Sequence, residues 1–266
     1  MKRKKMYFLI VIIGLIGIWW YNTFTIKITE VYIADDRIKD EIKIVHITDL
    51  HGFKFGKDNR YLINKIKTQQ PDLIIATGDM YSSNDKQGQE TALALLQHLT
   101  DLAPVYFVNG EHDSDEDFYE ALTNVGVNVW NYRQQIIDVK GTKLHLFGIN
   151  NLYYSPTFDL HHEWEPCNEH FSILISHLQN FRAFQDFGID LALCGDTHGG
   201  QIRLPFIGSL YTDGIWLPET TGVYVHGLYQ EGPHSLFISS GLGSSPIPIR
   251  LGVRPEIAVI HLKPKT

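Results

Sequence analysis

The sequence is poor in cysteine: it has two, Cys167 and Cys194, in 266 residues. One possible pair between distant positions is no disulfide framework, so both are expected to be free and structural. Basic clusters are equally scarce. Outside Lys2, Arg3, Lys4 and Lys5 there is no run of lysine and arginine, and setting those four positives aside takes the net charge from −7 to −11 for the rest. A nucleic-acid reader needs a basic face to neutralise phosphates, so this acidic body argues against a nucleic-acid partner. Internal repeats and low-complexity segments are also missing. With 44% hydrophobic residues the composition lies far from that of disordered chains, and one globular core is expected after the N-terminus.

A further absence is local. From Met6 to Ile26 there are 21 residues without a charge, and Met6 to Tyr21 are all apolar, aromatic or glycine. At about 1.5 Å per helical residue such a stretch reaches roughly 31 Å, close to the hydrocarbon thickness of a bilayer. The basic run at its near end is expected to stay cytoplasmic, with Trp19, Trp20 and Tyr21 at the far headgroup level. A cleaved signal peptide would need small residues at a cleavage site, where Trp-Trp-Tyr-Asn-Thr-Phe stands instead. The expectation is a single-pass anchor over residues 1–26 in the cell membrane, carrying an extracytoplasmic domain over residues 27–266.

Beyond the anchor, Ile42 to Ile47 reads as a strand, Asp58 to Lys67 as a helix with Leu62, Ile63 and Ile66 on one face, and Asp72 to Ala76 as a second strand. A helix from Glu90 to Leu99 and a strand from Val105 to Val108 follow, and Ser114 is placed to cap a helix from Asp115 to Leu122. This alternation implies parallel strands with crossover helices. In the second half, Val127 to Trp130, Gln135 to Val139, Lys143 to Gly148, Ser172 to Ser176, Asp190 to Leu193, Ser235 to Ser239 and Glu256 to Leu262 are short candidate strands. The fold class expected is α/β: two packed sheets, one from each half, flanked by helices.

Histidines and acids gather where these strands end. Asp49 and His51 follow the first strand, Asp79 the second, and Glu111, His112 and Asp113 the third; His177 and then Asp196 and His198 end two strands of the second half. Loops at the carboxyl edge of an α/β sheet converge on one crevice, so these residues can meet. The chain uses histidine freely, and any one of these could be a core residue. The weight lies in D-x-H, G-D, G-E-H-D, S-H and G-D-T-H-G-G-Q occurring in order. Mixed histidine and carboxylate donors suit Mn, Fe or Zn better than Ca or Mg alone, and the set is large enough for two ions. Two ions about 3.5 to 4 Å apart suit phosphate-ester hydrolysis.

These motifs, with Ile-Thr-Asp-Leu-His-Gly (47–52), Thr-Gly-Asp-Met (77–80), Gly-Gly-Gln-Ile-Arg-Leu-Pro (199–205) and Gly-Leu-Gly-Ser-Ser-Pro running on through Arg250, Arg254, Pro255 and Glu256, resemble the calcineurin-like metallophosphoesterase superfamily over about residues 42–262. The likeness is to its membrane-anchored bacterial branch. The resemblance implies a two-sheet metallophosphoesterase sandwich and two divalent ions. It implies that Asp49, His51 and His198 hold the first ion, that Asp79 bridges, and that Glu111, His177 and Asp196 complete the second. It makes His112 the general acid, with Asp113 or another carboxylate keeping its imidazole charged. The chemistry implied is attack on phosphorus by a hydroxide bridged between the ions.

Glu111 and Asp196 depart from the family pattern, which usually has asparagine and histidine there. Two neutral donors have become carboxylates, which favours Mn among the candidates, with Fe, Mg or Zn as the others. The same departures also fit an impaired second site. The expected substrate is a phosphoester, lipid or wall-linked; the alternatives are UDP-diacylglucosamine-type pyrophosphate hydrolysis and a non-catalytic metal-binding scaffold that presents the loop Tyr153 to His170, with Tyr154 and Trp164, as a surface.

Overall fold

The apolar N-terminal stretch forms one helix, α1 (Lys2–Phe24), which runs almost directly into β1 (Lys27–Asp35). This computed structural model describes residues 2–150, 159–162, 164–166, 168–212, 214–245 and 247–265. By length and composition α1 is able to cross a membrane, and it is hardly covered by the rest of the chain. Strands and helices then alternate: β2 (Ile42–Ile47), α2 (Arg60–Gln69), β3 (Leu73–Ala76), α3 (Lys86–Thr100), β4 (Val105–Phe107), α4 (Glu116–Asn124) and β5 (Asn128–Val129). The second half holds β6 (Tyr132–Val139), β7 (Thr142–Ile149), β8 (Phe171–Ser176), α5 (Phe181–Phe187) and β9 (Leu191–Cys194). Two small hairpins follow, β10 (Arg203–Leu204) with β11 (Gly208–Ser209) and β12 (Tyr211–Thr212) with β13 (Ile215–Trp216). The chain ends with β14 (Gly227–Glu231), β15 (His234–Ile238) and β16 (Glu256–Pro264).

Two six-stranded sheets result, ordered β1-β16-β2-β3-β4-β5 and β14-β15-β9-β8-β7-β6. Alternate side chains explain the layering. On β2, Ile42 and Ile44 join Ile75, Leu146, Ile173, Leu193 and Ile260 between the sheets, whereas Val45 and Ile47 face Leu62, Ile66, Leu95 and Leu96 of α2 and α3. A strand buried on both faces needs an apolar run rather than strict alternation. On the far side of the second sheet, Phe181, Phe184 and Phe187 of α5 cover Phe147, Leu174 and Ala192.

The α/β two-sheet sandwich with flanking helices is as expected, with three differences in detail. The halves do not each supply one sheet: β16 returns to the first sheet, parallel to β1 and antiparallel to β2. Its Ala258, Ile260 and Leu262 enter the inter-sheet core while Ile257 and Val259 face the helices, so only an interior position buries both sides. The edge strand β1 and the seven-residue α5 carry too little periodicity to stand out. The N-cap of α4 is Asp115 rather than Ser114, and its carboxylate accepts from the Tyr81 hydroxyl at 2.5 Å rather than capping the helix. Trp164, which only the scaffold alternative would expose, is buried and stacks on Tyr132 with ring centres 4.2 Å apart. Tyr153, Tyr154 and Cys167 lie outside the described residues, and Cys194 is free and buried at the end of β9.

Candidate metal centre

The loops after β2, β3, β4, β8 and β9 meet at one edge of the two sheets. Tight backbone turns bring the donors in: Asp49, His51, Asp79, Asp196 and His198 all have positive φ, between 47° and 76°. Non-glycine residues adopt this left-handed conformation at a cost, and such residues cluster where function requires them. The loops brace one another. Asp49 N–H donates to the Gly78 carbonyl at 3.0 Å, His51 N–H to the Asp79 carbonyl at 3.0 Å, and Gly195 N–H to the His177 carbonyl at 3.0 Å. Glycine is required where the loops touch the carboxylates: a Cβ on Gly110 would lie 2.2 Å from Asp79 Oδ1, and one on Gly195 would lie 2.7 Å from Asp49 Oδ2.

Three groups of donor atoms come together: Asp49, His51 and His198; Asp49, Asp79 and His177; and His51, Asp79 and His112. His51 and His198 face each other through Nε2 at 3.1 Å, and His51 Nδ1 lies 3.1 Å from Ser82 Oγ. His177, fully buried, donates from Nδ1 to the Thr77 carbonyl at 2.6 Å, which ties the second sheet to the first. Its Nε2 is left without a hydrogen-bond partner, 3.5 Å from Asp79 Oδ2 and 3.6 Å from Asp196 Oδ1. A buried imidazole nitrogen aimed between carboxylates, with its other nitrogen pinned, is what a metal ligand requires. The residues present therefore fit divalent cations.

Electrostatics agree. Burial, with Asp79 and Asp196 nearby, pushes Asp49 up to about 7 despite the opposing pull of His177. Burial works against the Asp79 charge too, but His177, His51 and the His112 N–H outweigh it and hold this carboxyl well below the usual range. Burial drives His51 down to about 4 and His198 well below the ordinary imidazole value, so both are neutral and able to ligate near neutral pH. Three carboxylates in a buried crevice call for cationic charge.

The structure thus brings together Asp49, His51, Asp79, His177 and His198, with Asp196 and His112 beside them. Glu111 is not brought in: its side chain is exposed and belongs to none of the three donor groups. The cause is the Asp113 carboxylate, which accepts from Gly110 N–H at 2.6 Å and Met80 N–H at 2.7 Å and so fixes a turn with Glu111 on its outer side. The Asp113 carboxylate is taken up by the backbone, so of the two options expected, Asp113 or another carboxylate, it is the other that stands by the His112 imidazole. The His112 ring instead has Ser83 Oγ at 3.0 Å from Nδ1 and Asp79 Oδ2 at 3.9 Å from Nε2.

The supporting role of Arg250, named in the sequence only within the family motif, comes from the structure. Arg250 is fully buried and donates from Nε to the Gly243 carbonyl at 3.0 Å and from Nη2 to the Ser240 carbonyl at 2.7 Å. Those carbonyls belong to the loop whose Leu242 and Gly243 N–H groups bond the carbonyls of Thr48 and Asp49. An arginine inside the short apolar run 247–253 was the available signal.

The family model for calcineurin-like phosphoesterases matches residues 42–200. The chain is 30% identical over 238 residues to the uncharacterized metallophosphoesterase YkuE of Bacillus subtilis, covering 84% of this chain and 80% of that one. It is 27% identical over 233 residues to the phosphodiesterase YaeI of Escherichia coli, covering 83% and 82%. Against a bovine transmembrane protein with metallophosphoesterase domain it is 30% identical over 256 residues, 84% of this chain but only 53% of that protein. With the donors gathered at the carboxyl edge of its sheets and the family pattern running through them, the chain belongs to the calcineurin-like metallophosphoesterases and is a metal-dependent phosphoesterase.

Proposed function

We propose that the protein is a two-metal phosphodiesterase anchored by α1, acting on a phosphoester at the membrane. The observation that carries the two-ion reading is the unpartnered His177 Nε2 between Asp79 and Asp196, in a donor group separate from that of His51 and His198. Asp49, His51 and His198 would hold one ion, and His177 and Asp196 the other, with Asp79 shared. Glu111 would have to turn inward to join. When bound, the ions supply an activated water and stabilise charge on the phosphoryl oxygens. Asp196 in place of a neutral donor favours Mn, with Fe, Mg or Zn as the other candidates.

His112 supplies the proton. Its ring is partly exposed, Ser83 steadies Nδ1, and Nε2 faces the crevice beside Asp79, within reach of a departing oxygen. A cavity of about 580 Å³ opens beside Asp196 and His198, with Ile202, Leu210, Trp216, Ile247 and Ile249 on its walls, so it suits an ester with an apolar portion. The basic Lys2 to Lys5 run orients the domain to the extracytoplasmic side.

The test is hydrolysis of bis-p-nitrophenyl phosphate by the full chain in nanodiscs, metal-stripped and then supplied with Mn, Mg, Zn or Fe, beside Asp79→Asn. Turnover restored by metal and lost in the variant supports the reading. Silence with every metal would leave a binding protein as the better account.

A further inference from the structure

The second half carries an apolar surface that neither the fold nor the metal centre requires. Leu204, Phe206, Ile207 and Trp216 on the two hairpins, with Ile247 and Ile249 on the strap that follows β15, are all exposed; Phe206 is fully so and Trp216 is 72% exposed. The patch is continuous. Ile202 pairs with Leu251 in a β-bridge, Arg203 N–H donates to the Leu251 carbonyl at 2.8 Å, and Leu210 and Leu217 N–H donate to the Ile202 and Leu210 carbonyls at 3.0 Å. Contiguous apolar surface of this kind marks an interaction site rather than ordinary exposure.

Its occupant follows from where it touches α1. Trp19 Nε1 donates to the Pro248 carbonyl at 3.1 Å, and Gly252 N–H donates to Asn22 Oδ1 at 3.1 Å. Trp19 lies five residues before the end of α1, about 7.5 Å back along the helix axis. The strap therefore runs alongside the helix at the depth of its tryptophans instead of stopping at its end. Arg254 fixes this arrangement, donating from Nε to Thr25 Oγ1 at 2.9 Å and from Nη2 to the Ile26 carbonyl at 3.0 Å, with its guanidinium 4.6 Å from the centre of the Tyr21 ring. A helix that crosses the bilayer must carry Ile247 and Ile249 into the interface with it.

We infer that the two hairpins and the 247–251 strap form a second membrane contact, which seats the mouth of the metal-centre cavity in the lipid surface and admits membrane-embedded phosphoesters from that leaflet. This rests on the membrane-anchored phosphoesterase reading above. The geometry joins patch and site directly. Trp216, Ile247 and Ile249 belong to both the exposed surface and the cavity wall, and the same cavity is lined by Asp196, Thr197 and His198. An amphiphile with its tail in the bilayer could present its phosphate to the ligands without leaving the membrane. The anchor alone would hold the domain nearby; the patch sets its orientation.

The test uses the full chain in nanodiscs of phosphatidylethanolamine and phosphatidylglycerol. A nitrobenzoxadiazole label at Phe206→Cys, in a Cys167→Ser background, should be strongly quenched by doxyl-labelled lipid. The same label at Lys140→Cys, on the turn between β6 and β7 at the opposite edge of the sheets, should not. In parallel, hydrolysis of p-nitrophenyl hexadecyl phosphate, which partitions into the bilayer, is compared with that of soluble bis-p-nitrophenyl phosphate. Phe206→Ser with Ile207→Ser should raise KM for the hexadecyl ester about tenfold or more, as expected for removing two large apolar anchors from lipid, and leave the soluble ester unchanged. Equal quenching at both label sites, or equal loss on both substrates, would overturn the inference. Label protection that depends on protein concentration in lipid-free detergent would also overturn it, in favour of a second copy. If the wild type hydrolyses neither ester, the phosphoesterase reading fails, while the quenching comparison still decides the membrane contact.

Discussion

His177 donates its Nδ1 hydrogen to the Thr77 carbonyl, and that one bond fixes what the other nitrogen can do. With the tautomer set, Nε2 points a lone pair, or in the metal-free protein a proton, at Asp79 and Asp196. Burial disfavours a charge on His177, but Asp79, Asp49 and Asp196 outweigh it and hold the imidazole well above its ordinary pKa. A divalent cation bound there would compete with that proton for Nε2 and would be held by the same carboxylates. Asp196, an acid where the family pattern usually has histidine, is therefore the position at which a preference among metals is best tested.

Asp196→His converts an anionic oxygen donor into a neutral, softer nitrogen. The expected outcome is a shift in the Zn-to-Mn affinity ratio toward Zn on the order of tenfold, the scale at which changes around a ligand move metal affinity. Competitive metal loading, read by elemental analysis of the full chain, checks it. An unchanged ratio would show that Asp196 does not contribute to the second ion.

Replacing His112 should discriminate by leaving group. A general acid matters when the departing oxygen is basic and little when it is already a good leaving group. His112→Asn is therefore expected to lower kcat by roughly 10² to 10⁴ for an alkyl phosphodiester, with a much smaller loss for p-nitrophenyl esters. Equal losses on both would assign His112 to metal holding, a role its place with His51 and Asp79 in one donor group also permits.

Arg250 holds three loop carbonyls with one planar fork, those of Ser240, Gly241 and Gly243. Burial lowers its pKa to about 10, which still leaves it charged at neutral pH. Lysine keeps the charge but not the fork. Arg250→Lys is expected to cost about 1 to 3 kcal/mol through carbonyls left unpaired, seen as a fall of about 2 to 10 °C in Tm. A calorimetric scan of the metal-loaded full chain in nanodiscs decides it, and an unchanged Tm would mean that the loop is held by its bonds to Thr48 and Asp49 alone.

Local patterning made much of this legible in the sequence. The fully buried β3 and β8 stand out as mainly apolar runs, and the donors Asp49, Asp79, His177 and His198 come within a few residues of strand ends, so their meeting needed only the rule that strand ends share an edge. Where the reading stopped, the information was tertiary. β16 has the same composition as a second-sheet strand, and its place between β1 and β2 is set by two faces that both need cover. Glu111 sits inside a motif that pointed to ligation, yet its side chain is exposed on a turn that the Asp113 carboxylate holds by accepting from the Gly110 and Met80 N–H groups. Ser82, Ser83 and Arg250 act through distance and angle, which no spacing encodes.

Glu256 gives a pH-dependent signature away from the metal donors. It is fully buried, and burial works against its charge. The His226 imidazole at 3.4 Å, the Thr29 hydroxyl and the Ser240 N–H at 2.9 Å outweigh that cost and hold the carboxyl down at about 2, against 4.5 for an ordinary glutamate. Between those two values the unfolded chain binds a proton that the native protein refuses, so native stability falls as pH drops from about 4.5 to about 2 and is fully present above that window. The contribution is roughly 3 kcal/mol at neutral pH, on the scale of about 1.4 kcal/mol per pKa unit. Glu256→Gln should lower stability at pH 7 and flatten the loss across the acid window. Urea unfolding of both proteins in nanodiscs at a series of pH values measures the difference. Parallel curves would mean that Glu256 is protonated already in the native protein, and that His226 and Ser240 bond a neutral carboxyl.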